Sequence, residues 1–236
     1  MTIPEYIGRF FHYAKHHGLW GTIKRALLGL RRMLTGTRYV LFYCDLARFE
    51  AAPLDETVQG RVQRMFSGDE LDPKYIGRIM NARYPAVVSR QIAERFAQGA
   101  SLWLFELEDK LAAYGWSLIG NTMEPHFFPL GSNDVHLFDF FVFPEFRGRR
   151  INPSLVKHIL NSLALEGKAR VFIEAAEWNT EQLQSLKRMP FQELGHARKH
   201  SLFGNTIVVW SEDNRRFAKG CRRGGLNLNH NRLKHG

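Results

Sequence analysis

The sequence is poor in cysteine and has no long apolar run. Its 236 residues include two cysteines, Cys44 and Cys221, which form no Cys-x-x-Cys pair and lack metal-ligand spacing. We therefore expect free thiols in a reducing cytoplasm and no bound metal. The chain contains no run of about 18 apolar residues, which argues against a membrane-spanning helix. It also lacks the N-terminal pattern of a secretory signal. These absences predict a cytoplasmic protein.

The positive charge is concentrated at the two ends of the chain. The formal net charge is +10, and residues 1–38 and 213–236 each carry seven Lys or Arg against one acidic residue. The stretch between them is slightly acidic. We predict a basic amphipathic helical extension at 1–36, a folded domain at 37–212 and a basic flexible tail at 213–236.

Residues 1–36 fit two interpretations, a helix packed on the domain and a helix lying on an anionic membrane. The second would make the protein membrane-peripheral. Basic ends would also suit an acidic partner such as an acyl-carrier protein. Nucleic-acid binding is not expected, because no recognition motif is present.

The middle of the chain alternates strand-like and helix-like patterns. The order is one strand, two or more helices, three strands, a helix, a strand, a helix and two strands. The predicted helices are Glu56–Phe66, Pro73–Asn81, Val87–Gln98, Pro153–Glu166 and Thr180–Arg188. This order predicts an α/β protein, α+β-like, with a central mixed sheet of six to seven strands flanked by helices.

A basic turn between a strand and a helix is the most informative feature. The apolar strand Val135–Phe143 ends at Pro144, and Arg147, Arg149 and Arg150 follow within a few residues. Asn152 is a good N-cap and Pro153 suits the first helical position. Arginines beside a helix N-terminus form a binding site for phosphate or pyrophosphate; the alternative is an ordinary basic surface loop.

These residues resemble a known family. The run Val142-x-Pro144-Glu-Phe-Arg147-Gly148-Arg-x-Ile151 is similar to motif A of the GNAT (Gcn5-related N-acetyltransferase) superfamily. Glu174, Asn179 and the Met189-Pro-Phe191 run resemble the second half of that family's domain. The resemblance covers about residues 37–211 and implies the GNAT fold, an acyl-CoA co-substrate (acetyl-CoA or another) and an amine acceptor.

The resemblance also implies a role for particular residues. Backbone groups of Phe140, Phe141 and Val142 would pair with the pantetheine arm as an added strand. The residues expected to wrap the pyrophosphate are Arg147, Gly148, Arg149, Arg150, Ile151 and Asn152. Asn179 would contact the cofactor where the sheet opens.

Three side chains are candidates for proton transfer. Glu174 matches a position where many family members carry the general base, and Asp139, inside an apolar run, is the second candidate. His136 on the same strand is the third. Asp139 could instead accept hydrogen bonds from loop N–H groups, and His136 could be an ordinary strand-edge histidine.

The chain departs from the family pattern at several positions. Arg150 and Asn152 stand where the motif has glycine, Leu186 replaces the usual proton-donating tyrosine, and Pro190 replaces the glycine before Phe191. The expected function is transfer of an acyl group, acetyl first, from CoA to a primary amine of a small molecule, amino sugar or peptide. The alternative is a catalytically degenerate protein of the same fold that binds a partner or a membrane surface.

Overall fold

A computed structural model describes residues 18, 20, 22–23, 27–28, 36–49, 60–82, 85–123, 126–202 and 205–211. Nearly all of the predicted extension and the predicted tail lie outside these residues, so both stay predictions. None of the helices within the described ranges is long and apolar enough to cross a membrane.

The elements alternate along the chain in the predicted order, with one exception. The strands are β1 (Thr37–Asp45), β2 (Arg61–Met65), β3 (Ser101–Leu107), β4 (Lys110–Ile119), β5 (Asp134–Val142), β6 (Arg170–Ala176), β7 (Gln192–Leu202) and β8 (Asn205–Trp210). The helices are α1 (Pro73–Asn81), α2 (Pro85–Ala97), α3 (Ile151–Leu165) and α4 (Thr180–Lys187). Short 3-10 turns occupy Gly68–Glu70 and Pro144–Phe146.

The predicted helix Glu56–Phe66 is wrong where the structure describes it, because Arg61–Met65 is strand β2. The strand lies at the sheet edge and pairs antiparallel with β3 along its whole length. It raises the sheet to eight strands, one more than the upper expectation. A short, half-exposed edge strand owes its conformation to its partner strand, so its own side chains encode it weakly.

The eight strands form one mixed sheet in the order β2-β3-β4-β5-β6-β1-β7-β8. All neighbouring pairs are antiparallel except β5 with β6, which are parallel. Strand β1 therefore sits between β6 and β7, which come much later in the chain. The mixed α/β fold class is confirmed.

Helices cover both faces of the sheet. On one face, Phe96 of α2 packs edge-on against Trp116 of β4, with ring centroids 5.0 Å apart. On the other face, His158 of α3 lies against Trp103 of β3. Apolar side chains of α3, among them Leu155, Ile159 and Leu163, are fully buried in the main core. Burying each stabilises the fold by roughly 1.5–3 kcal/mol.

A second, smaller core lies on the α2 face over β6, β1 and β7. Phe127 and Phe128, from the segment between β4 and β5, pack there against Phe172 and Trp210. The described residues of this segment, 120–123 and 126–133, carry no regular secondary structure, yet its aromatic side chains fix it to the sheet. It therefore covers the face of β6 on which the site described below lies.

Candidate active site

Strands β5 and β6 separate in the middle of the sheet. Their parallel pairing joins Asp134 to Arg170, Val135 to Val171 and His136 to Phe172. Beyond that point β5 continues to Val142 and β6 to Ala176. A cleft therefore opens at His136 and widens toward the C-terminal ends of both strands.

A β-bulge at Asp139 turns β5 away from β6. Phe138 pairs with Trp116 and Phe141 with Tyr114, so two residues of β5 face the single Gly115 of β4. Asp139 has the left-handed φ of 51° that such a bulge requires and that Asp tolerates better than most residues. The bulge lies three residues beyond the last pair of β5 with β6, where the cleft is open.

Asp139 is held by an ion pair with α2. Arg95 Nη1 lies 2.6 Å from Asp139 Oδ2, and the two side chains are 13% and 18% exposed. The same guanidinium lies over the rings of Trp116 and Phe138. This arrangement ties the bulge to α2, so the geometry favours a structural role for Asp139; its predicted catalytic role is untested.

The pairing of the Phe140, Phe141 and Val142 backbone with a cofactor stays a prediction, but the hydrogen bonds of β5 show which way the Val142 groups point. The Phe143 N–H donates to Ala112 O of β4. Because successive residues of a strand direct their N–H and C=O groups to opposite edges, the Val142 groups point away from β4, into the cleft. The Phe140 ring stands over Gly115, where an added Cβ would lie only 2.4 Å from it.

The basic turn leads from β5 into α3. Arg147, Gly148, Arg149 and Arg150 are exposed, and Gly148 and Arg150 have left-handed φ values of 78° and 55°. Helix α3 begins at Ile151 with Arg150 as its N-cap, so the prediction that Asn152 caps the helix and Pro153 opens it is wrong. Arg150 stands where the motif has glycine and adopts a left-handed conformation. It starts the helix two residues earlier than the Asn152-Pro153 pair indicates.

The N-terminus of α3 presents unused backbone donors beside these arginines. The first helical hydrogen bond runs from Ser154 N–H to Arg150 O, so the N–H groups of Ile151 and Asn152 precede the helical ladder. Arg147 Nε donates a long bond, 3.4 Å, to Val142 O, and Arg149 pairs with Glu108 at 2.6 Å. The turn thus joins a helix N-terminus to the mouth of the cleft.

Glu174 and His136 meet at the base of the cleft. Glu174 Oε2 lies 2.9 Å from His136 Nε2; the Glu174 side chain is 20% exposed and the His136 side chain 7%. Burial alone raises the pKa of Glu174. The charge and hydrogen bond of His136 outweigh that effect and hold the pKa of Glu174 well below its usual range. The carboxylate is therefore ionised and orients the imidazole.

A third side chain, His126, joins Glu174 and His136 in a buried cluster, and no pattern in the sequence indicated it. Its ring centroid lies 4.8 Å from that of His136, and the side chain is buried beneath the same aromatic segment. Burial lowers the pKa of His126 to about 3, so the imidazole is neutral at physiological pH. Its position depends on a contact between distant parts of the chain.

Two other predicted positions lie on or near α4. Asn179 caps that helix, since its Oδ1 accepts from the Gln182 N–H at 3.3 Å. The predicted opening of the helix at Asn179 is confirmed, and its cofactor contact is untested. Leu186, where the family has tyrosine, is buried in the main core.

A cavity of about 630 Å3 lies at the far end of β5, between α1 and the side chains of Phe141 and Phe143. Both rings contact Tyr114 of β4, whose side chain lies on the same face of the sheet as that of Trp116. His136 stacks on Phe138, which stacks on Trp116. The cavity and the His136–Glu174 pair therefore share one face of the sheet.

A mixed sheet opened between two parallel strands, with a basic turn and a helix N-terminus at the opening, is the architecture that motif A implies for acyl-CoA-dependent acyltransferases. A family model described as acetyltransferase (GNAT) family matches residues 69–191, just over half of the chain. The chain belongs to the GNAT family. That membership supports an acyl-transferring enzyme, and acetyl-CoA is the general co-substrate of the family.

Solved structures with a similar fold share little sequence with this chain. A putative GNAT acetyltransferase from Novosphingobium aromaticivorans is 14% identical, with TM-score 0.46 over 68% of this chain and 61% of its own. A GNAT-family acetyltransferase from Colwellia psychrerythraea is 10% identical, with TM-score 0.49 over 69% and 56%. The chain thus spans about three fifths of either structure. A comparison with curated proteins found no match.

Proposed function

We propose that this protein is an acyl-CoA-dependent N-acyltransferase that moves an acyl group, acetyl in the first instance, to a primary amine of a small molecule, an amino sugar or a peptide. The observation that carries the proposal is the ionised Glu174 bonded to His136 at the point where β5 and β6 separate. A base at the closed end of a cofactor cleft is what acyl transfer to an amine requires.

The cofactor would lie along the open edge of β5. Its pantetheine amides would pair with backbone groups of Phe140–Val142, and its pyrophosphate would bind the N–H groups of Ile151 and Asn152. Arg147 and Arg150 would add charge-assisted hydrogen bonds. Arg149 is already paired with Glu108, so we assign it a smaller share of phosphate binding.

Proton transfer is assigned to the His136–Glu174 pair. The amine must lose a proton to attack the thioester carbonyl, and an imidazole oriented by a carboxylate can accept it. With the Nε2 proton donated to Glu174, His136 Nδ1 carries the lone pair, and that atom is buried with no partner among the described residues. The role predicted for Glu174 alone thus becomes shared, with Glu174 orienting the imidazole and the buried His136 Nδ1 accepting the amine proton through one water molecule.

The remaining steps use groups that the fold supplies. The Val142 N–H, directed into the cleft, is suited to stabilise the tetrahedral oxyanion. Leu186 cannot donate a proton to the departing sulfur. A thiol with a pKa of about 8–9 can leave as thiolate without a strong acid, so the loss of tyrosine is compatible with turnover.

The acceptor would approach from the face that carries α1 and α2. The cavity beside Phe141 and Phe143 lies on that face, as does Glu174. Its walls are aromatic side chains with Lys74 and Arg78 of α1, and they would select the acceptor.

The competing function is a degenerate member of the family that binds without catalysis. Arg150, in a left-handed conformation usual for glycine, and the buried Leu186 favour it. The two functions differ in turnover, so an activity assay separates them.

The test is an acetyl-transfer assay on the full chain with a panel of primary amines: polyamines, hexosamines and peptides with free N-termini. Released CoA thiol would be measured against a no-amine control, with the product identified by mass spectrometry. Amine-dependent CoA release with a product heavier by one acetyl group supports the proposal. The same assay would be repeated with longer acyl-CoAs. If the protein binds these cofactors but transfers no acyl group, the result favours the degenerate function.

A further inference from the structure

Three side chains of the kind that bind transition metals converge from distant parts of the sequence. His126 comes from the segment between β4 and β5, His136 from β5 and Glu174 from β6. One ligand atom from each lies within 4.8 Å of the other two. The two histidines are 6% and 5% exposed, so the cluster is an interior site.

The two imidazoles have hydrogen-bonding capacity that the described protein does not use. His126 Nε2 and His136 Nδ1 are buried and have no hydrogen-bond partner among the described residues. A buried polar atom left without a partner costs roughly 1–3 kcal/mol, so such atoms are rare and call for a ligand. These nitrogens lie in one cluster with the ionised Glu174 carboxylate, where a bound ion would have ligands from three side chains.

We propose that His126, His136 and Glu174 bind a single divalent transition-metal ion of the zinc class. Two imidazoles and one carboxylate are a ligand set that Zn2+ takes in proteins, with a fourth position open to water. In a tetrahedral site with bonds of about 2.0–2.1 Å, ligand atoms lie about 3.4 Å apart. The three ligand atoms now lie within 4.8 Å of one another, so binding an ion would draw the widest pair closer together.

The surroundings suit a reversible site. Aromatic rings enclose the cluster, with Phe138 stacked 5.3 Å from His136 and Phe128 5.1 Å from His126. The Lys199 ammonium interacts unfavourably with a charged His126, and it would oppose a cation in the same place. We therefore expect the ion to bind reversibly.

Metal binding would stop acyl transfer, a consequence that rests on the proposed function. The ion would occupy His136 and Glu174, which could then no longer accept the proton of the amine. Zinc and turnover are therefore mutually exclusive at this site. The binding itself does not depend on the activity.

The binding test uses the full chain without an affinity tag, stripped with chelator and titrated with Co2+. We expect one ion per chain, an intense visible absorption of tetrahedral Co2+ and displacement by Zn2+. His126→Gln should weaken binding at least about 10-fold, since even second-shell changes cost that much at metal sites. One control is His158→Gln, at a half-buried histidine of α3. The other replaces both His12 and His16 with glutamine, since these two histidines stand four residues apart, a spacing that metal ligands can have. Both controls should bind Co2+ like wild type.

The proposal would be overturned if the chain bound no Co2+, or if only the variant that lacks His12 and His16 lost Co2+ binding. Circular dichroism of His126→Gln checks that it folds. If it does not, Glu174→Gln takes its place with the same expected loss of Co2+ absorption. In the transfer assay, Zn2+ should inhibit wild type and chelator should restore it, while the activity that His126→Gln retains should resist the same Zn2+ concentration. An inactive wild type that still binds Co2+ would refute the proposed function and leave the metal site standing.

Discussion

Replacing Glu174 with glutamine removes a charge and keeps the shape of the side chain. Glu174 Oε2 lies 2.9 Å from His136 Nε2, and an ionised carboxylate can only accept, so this contact favours the tautomer with the proton on Nε2 and the lone pair on Nδ1. The glutamine amide can donate its own N–H to Nε2 and thereby favour the opposite tautomer. Either way, the imidazolium that forms during the reaction loses its counter-charge.

The size of the effect follows from the position of the pair. Two unit charges about 4 Å apart attract by about 4 kcal/mol at the effective dielectric constant of a partly buried site. The Glu174 side chain is 20% exposed, so solvent screening reduces the loss to about 2–3 kcal/mol. With 1.36 kcal/mol per factor of ten, kcat should fall about 30- to 150-fold.

The assay is steady-state release of CoA thiol with the best amine of the panel, alongside calorimetry of acetyl-CoA binding. Affinity for acetyl-CoA should change by less than about 2-fold, because no cofactor contact is assigned to Glu174. Glu177→Gln is the matched control: that carboxylate binds Arg38 and His196 and should leave turnover unchanged. Wild-type kcat in Glu174→Gln would refute the assignment.

Three further changes test other parts of the site. Arg147→Ala combined with Arg150→Ala should weaken CoA binding at least about 10-fold by calorimetry, because two charge-assisted phosphate contacts are lost. Asp139→Asn should reduce the free energy of unfolding by about 2–3 kcal/mol in urea, because Arg95 stays buried without its counter-charge, while kcat changes less than about 3-fold. Burial raises the pKa of the Cys44 thiol to about 11, so it should resist a thiolate-directed reagent at pH 8 and react only as the pH nears 11 or the chain unfolds.

Each of these changes has a control and a contradicting outcome. Arg48→Ala, an exposed arginine at the opposite end of the sheet, should bind CoA normally, and equal affinity in the double variant would remove the pyrophosphate from the turn. A large loss of kcat in Asp139→Asn at full stability would make Asp139 catalytic. The thiol experiment uses Cys221→Ser, which leaves Cys44 alone, and rapid labelling at pH 8 would contradict its burial.

The sequence predicted the features that neighbouring residues encode. The alternation of Val135–Phe143, the breaking Pro144 and the apolar stripe of α3 are local signals, and they placed β5, the turn and the helix correctly. The arginines and glycine of the turn were visible for the same reason. Even here the predicted helix start was two residues too late. An Asn-Pro pair is typical of a helix N-terminus, and the sequence does not show that the helix has already begun at Ile151.

The features that depend on tertiary contacts could not be predicted from sequence. Strand β2 forms because it pairs with the edge of β3. The bulge at Asp139 is defined by its pairing with β4, where two residues of β5 face the single Gly115. His126 lies in a segment without periodicity, and nothing local indicates that it reaches His136. The sequence thus pointed to the basic turn, Glu174 and His136, while His126, the third member of the buried cluster, needed the fold.

The most direct test of the account is a crystal structure with a non-hydrolysable acetyl-CoA analogue. We expect the pyrophosphate at the N-terminus of α3 beside Arg147 and Arg150, and the pantetheine arm along Phe140–Val142. The acetyl carbonyl should lie near the Val142 N–H, within reach of an amine held by His136. An analogue bound elsewhere, or a thioester far from His136 and Glu174, would contradict the account.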